Sequence, residues 1–181
     1  MEEHLDRYRM YGLVPYNISP IQQGIQYGHA LQEYNNSFID HPEIKGFNEA
    51  EDRYNLEEEF KTWRLEDKTF IILNGGTSMT MEQHIETLKE AGIHIGVFRE
   101  PDLNMMVTGI VFLVPENVYK KDYWPDFKTW MLRKNSGYRP IDNDWGNGQM
   151  SFPEEYEEWV SMIGGEKIAF LKEFTSQFRL A

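Results

Sequence analysis

Along residues 11–115 two hydrophobic periods alternate, one of about two residues and one of about 3.6. The runs "YGLVPYNI", "KTFIILNGG", "IHIGVFRE" and "GIVFLVP" predict strands over residues 11–17, 69–73, 93–99 and 109–114. Pro15 marks the first as an edge or bulged strand, because proline donates no ladder hydrogen bond. Ser19, Pro20 and Gln22 form a helix start in which serine caps and glutamine returns the bond. The helix from 19 to about 35 is expected to bury Ile21, Ile25, Gly28 and Leu31 or Gln32. Gln22, Gln26, His29 and Glu33 then form a polar stripe on the next face. "LEEEFKTWRLED" predicts a helix that buries Phe60 and Trp63. Thr80 with Gln83 predicts a second capping box, on a helix that Gly92 stops. Residues 41–54 lack periodicity and read as a long loop.

That order is strand, helix, helix, strand, helix, strand, strand. It predicts an α/β fold, a three-layer α/β/α arrangement around a four-stranded mixed sheet. After Pro115 the pattern becomes aromatic and helical. Residues 1–115 are therefore expected to form the α/β domain and 116–181 a C-terminal helical extension, ending in a helix from about 166 to 178.

Composition changes the picture in three ways. The 181-residue chain has 40% hydrophobic residues, enough for a packed core. It has no cysteine, which excludes disulfides, thiolate metal sites and cysteine nucleophiles. Its net charge of −12 opposes phosphate binding, which depends on lysine and arginine. The basic residues between 120 and 139 are interleaved with acids and read as a solvated face. No run reaches a membrane span, and "MEEHLDRYRM" does not resemble a secretory signal, so a cytoplasmic protein is expected.

Motifs narrow the chemistry further. "LNGGTS" lacks the spacing and lysine of a phosphate loop and reads as a plain turn. His84 and His94 have no metal-ligand spacing, so neither a metal nor a cofactor is expected. "EPDLN" places Glu100 and Asp102 at a strand end, where α/β folds commonly hold their sites. Those carboxylates could position or deprotonate water. They are equally ordinary turn formers around Pro101.

The element order, with Gln26-Tyr27-Gly28-His29-Ala30 on the first helix and an acidic turn followed by Thr108-Gly109, resembles the type-2 peptidyl-tRNA hydrolases. The likeness is to a divergent branch with E-P-D-L-N, and it spans about residues 11–115. It implies hydrolysis of the ester between a peptidyl or acyl group and tRNA. Glu100, Asp102 and His29 would be catalytic, with Gln22, Gln26, Asn104 and Thr108 binding substrate. The family's helix lysines fall here on Pro20 and Gln22, so weak activity is expected. The alternative is a catalytically inactive acidic module on the same scaffold that binds a protein partner.

Overall fold

The computed structural model describes residues 7–39, 50–134 and 153–181. The expected loop at 41–49 and the stretch containing Arg139 and Ser151 lie outside them. The first part of the chain forms β1 (Tyr8–Val14), α1 (Pro20–Ile39), α2 (Ala50–Thr62) and a π-helical turn, Trp63–Asp67. It continues through β2 (Thr69–Asn74), α3 (Ser78–Glu90), β3 (Gly96–Glu100), a 3-10 turn at Pro101–Leu103 and β4 (Met106–Pro115). The strands make one four-stranded mixed sheet in the order β2-β1-β4-β3. β1 runs parallel to β2 and antiparallel to β4, and β4 runs antiparallel to β3. This is the α/β fold the alternation predicted.

Strand alternation sends neighbouring side chains to opposite layers. Met10, Val14, Val111 and Leu113 pack with Tyr27, Ala30 and Tyr34 of α1 and with Phe60 and Trp63. On the other face Tyr11 meets Phe112, and Phe112 meets Phe174, which also touches His84 of α3.

Three local expectations are corrected. β1 is a central strand that begins at Tyr8 and ends at Val14, so Pro15 falls just beyond it and costs no ladder bond. α3 is capped one turn earlier than Thr80 and Gln83 implied. Thr77 is the N-cap and forms a reciprocal capping box with Thr80. Residues 50–54 are helical, not loop.

The largest difference concerns α1. Its start is as expected, with the Ser19 N–H donating to Gln22 Oε1 at 3.0 Å and the Gln22 N–H to Ser19 Oγ at 3.3 Å. Of its expected buried face only Leu31 packs, half-buried, against the core. Ile21 is 78% exposed and Ile25 51%, Gly28 is exposed, and the buried residues are Tyr27, Ala30 and Tyr34. The sheet selects that face by what it lacks. A Cβ on Gly96 would lie 2.3 Å from the Ala30 carbonyl oxygen, and one on Gly109 would lie 2.5 Å from that of Gln26. Two glycines on β3 and β4 thus open a seat for the backbone of α1. Tyr27 pays no polar penalty there, because its hydroxyl donates to the Met10 carbonyl at 2.8 Å.

The chain divides into two compact units, one comprising residues up to Glu116 together with Phe174–Ala181, the other Asn117–Glu173. In the first, the chain's last residues run beside β2, with Leu180 bridging antiparallel to Leu73. The remaining helices are α4 (Glu116–Tyr119), α5 (Phe127–Lys134), α6 (Pro153–Ile163) and α7 (Glu166–Ser176). The core of the second unit is Trp159, Ile163 and Ala169 with Trp124, Phe127 and Trp130 around them. Among the described residues no helix is long and apolar enough to cross a membrane.

Candidate active site

The candidate residues meet where β3 ends and β4 begins. Phe98 and Glu100 face α1, while Arg99 faces α3 and grips Glu82 with both guanidinium nitrogens, at 2.5 and 2.9 Å. The turn reverses through Asn104 and Met105, both left-handed at φ 53° and 61°. Its closure is held by the Met105 N–H on the Glu100 carbonyl at 3.0 Å and by Arg99 donating to the Met105 carbonyl at 3.3 Å.

A β-bulge then aims the next residue. Phe98 pairs with Gly109 but Arg99 with Val107, so Thr108 is an extra residue in β4. Regular alternation would turn Thr108 away from α1, since Gly109 already faces that helix. The bulge instead lets the Thr108 hydroxyl donate to Gln26 Oε1 at 2.7 Å. Gln26 Nε2 in turn donates to Glu100 Oε2 at 2.8 Å. Thr108 is only 2% exposed, which makes this contact part of the fold as well as of the site.

The chain Thr108–Gln26–Glu100 fixes one carboxylate oxygen and leaves the other without a bond from Gln26. His29, one helical turn beyond Gln26, is exposed, and its ring stacks on Phe98 at 4.4 Å with 22° between planes. Gln22 is exposed and spends its carbonyl on Ser19. Asp102 and Asn104 are exposed on the turn, and among the described residues no hydrogen bond joins either to Gln26 or Glu100. So Gln26 joins Glu100 and Thr108 by hydrogen bonds, His29 lies one helical turn along α1 against Phe98, and, among the described residues, Gln22, Asp102 and Asn104 make no hydrogen bond to these three.

The electrostatics are uneven. Arg99, the cation of the turn, is committed to Glu82, whose carboxyl its hydrogen bond holds below the ordinary range. Two other histidines are half-buried among aromatics. His94 lies against Tyr34 and Phe38 with Nε2 2.8 Å from Ser37 Oγ, and burial pushes its pKa down to about 4. His84 is lowered mainly by burial, which a hydrogen bond with the Gly75 backbone opposes. Among the described residues no three His, Asp or Glu side chains gather as a metal would require. Two surface grooves lie elsewhere. One of about 320 Å³ includes Arg7, Tyr8 and Asn55, and one of about 460 Å³ lies between α6 and α7; neither includes a residue of the cluster.

Sequence reading missed Phe98 as the seat of His29 and the bulge that aims Thr108. Gly96 and Gly109, glycines inside strand patterns, were the available signal, since such a glycine marks a bulge or a close backbone approach. No protein-family model matches the chain, and no curated protein matches it in sequence.

Proposed function

We propose that this cluster is the hydrolytic centre of an ester hydrolase of the type-2 peptidyl-tRNA hydrolase kind, cleaving a peptidyl or acyl group from tRNA. The observation that carries the reading is the Thr108–Gln26–Glu100 chain, which orients a carboxylate at a strand end, with exposed His29 one helical turn beyond Gln26. A structural turn has no need of a carboxylate clamped by an amide that is itself clamped by a buried hydroxyl. The element order over β1 to β4 agrees with the same reading.

In the proposed reaction, Glu100 takes a proton from water as the water oxygen attacks the ester carbonyl. The tetrahedral intermediate then collapses, the bond to the ribose oxygen breaks, and that oxygen takes up a proton, with His29 as its donor. Gln26 and Thr108 hold Glu100 in place. Gln22, Asp102 and Asn104 would contact substrate from the rim.

The second reading, an inactive acidic module that binds a protein, is favoured by the net charge of −12 and by Arg99 being neutralised by Glu82. Incubating the full chain with peptidyl-tRNA separates the two. The hydrolase reading expects release of free peptide by the wild type and its loss in Glu100→Gln. Wild type and variant leaving the ester equally intact would sink it in favour of the binding module.

A further inference from the structure

The turn that carries Glu100 exposes apolar side chains alongside Asp102 and Asn104. Leu103 is 46% exposed, Met105 55% and Met106 45%. Scattered exposed apolar side chains are ordinary on a protein surface. Here three crowd into one turn, and one is tied to the carboxylate by geometry. Met106 is the strand partner of Glu100, and directly paired residues project to the same face with Cβ atoms about 5 Å apart. Met105 is tied to Glu100 through the main chain alone, its backbone N–H donating to the Glu100 backbone carbonyl to close the turn.

Met105 also occupies the left-handed region at φ 61°, where glycine or asparagine would rest without strain. Strain of this kind collects at ligand-binding positions. Methionine is suited to such a role, being unbranched, polarizable and able to fit varied apolar groups. Arg99, the cation adjacent to Glu100 in sequence, is turned to the other face and held by Glu82. Next to the carboxylate, then, the turn offers apolar contact and no positive charge from Arg99.

Building on the ester-hydrolase reading of Glu100, we propose that Leu103, Met105 and Met106 seat the acyl side of the substrate, which is an ester whose acyl group carries an apolar side chain. The chemistry balances as simple hydrolysis. Water adds to the carbonyl carbon, the carbon–oxygen bond to the alcohol breaks, and the alcohol and the acid each leave with a proton from the water or its equivalent from solvent. Selectivity comes from the side chain next to the scissile carbonyl, because that group lies over the turn while Glu100 addresses the water.

The test compares two tRNA esters of nearly equal shape, N-acetyl-leucyl-tRNA and N-acetyl-asparaginyl-tRNA, with the full chain. The leucyl ester is expected to be cleaved with kcat/KM roughly tenfold higher, the scale set by leaving an amide unbonded on an apolar surface. In the double variant Met105→Gln, Met106→Gln that ratio should fall towards one. Leu103→Gln, outside the left-handed positions, serves as the second variant should the double variant fail to fold, and should lower the ratio in the same direction. Equal cleavage of both esters by the wild type overturns the acyl-site inference and leaves the hydrolase reading standing. Cleavage of neither, with the acid-to-amide variant indistinguishable from wild type, overturns both.

Discussion

Gln26 can hold Glu100 because its amide has one workable orientation. The carbonyl must face the Thr108 hydroxyl and the NH2 the carboxylate; the flipped amide would set oxygen against oxygen. Thr108→Val keeps the shape and removes the donor, leaving the carbonyl of Gln26 unpaired beside a buried wall. We expect a loss of about 1–2 kcal/mol in urea unfolding, with Thr108→Ser retaining most of it. An unchanged midpoint for valine would show that the hydroxyl carries no weight. A second residue-scale prediction concerns His94. Its folded pKa of about 4 lies below its ordinary 6.5, so the unfolded chain binds the proton more readily. The stabilisation is present above pH 6.5 and is lost as pH falls towards 4, by up to about 3 kcal/mol. His94→Phe should flatten that part of the profile; a parallel profile in the variant would place the acid sensitivity elsewhere.

At the scale of elements, α1 lies as close to the sheet as it does because Gly96 and Gly109 have no side chains to hold it off. Gly109→Ala sets a Cβ against helix backbone, which cannot swing aside, and we expect it to cost about 1–3 kcal/mol. It should also lower any turnover, because lifting α1 draws Gln26 from Glu100; retention of both would show that the helix has slack. The start of α3 gives a contrast. Thr77→Ala should cost about 1 kcal/mol in thermal melts, whereas Gln83→Ala, outside the actual box, should be nearly neutral. These elements also show what was legible in the sequence. Strand alternation, the Ser19 cap and the Gly75-Gly76 turn are local signals, so the order of elements could be read from them. The buried face of α1 could not. Two candidate stripes at helical spacing exist on it, and the choice depended on glycines far along the chain, Gly96 against Ala30 and Gly109 against Gln26, whose missing side chains form the seat. Gln26 and Glu100 could be named as candidates from their positions, while the aim of Thr108 could not, because a bulge is a property of the pairing of two strands.

At the scale of the whole molecule, charge governs how a tRNA ester would be met. A net charge of −12 repels a polyanion at long range, and salt screens that repulsion. A protein that grips phosphates with lysines behaves in the opposite way, losing affinity steeply as salt rises because counterions are released on binding. On the family resemblance, the helix lysines fall on Pro20 and Gln22. Gln22 contributes an uncharged side chain already engaged by Ser19. We therefore expect kcat/KM for peptidyl-tRNA to show no such loss between about 50 and 200 mM salt. Gln22→Lys should restore one cation on the exposed side of α1, steepening the log–log salt dependence by about one and raising turnover at low salt. The same change removes the acceptor that returns the capping bond at Ser19, so it should cost about 1 kcal/mol or less of stability. Higher turnover together with a slightly lower melting temperature would mean that this position faces phosphate and that its neutral residue limits the rate. If the salt slope and turnover stay as in wild type while the melting temperature drops, Gln22 acts only as a helix cap, and the alignment of the family's lysine with this residue fails.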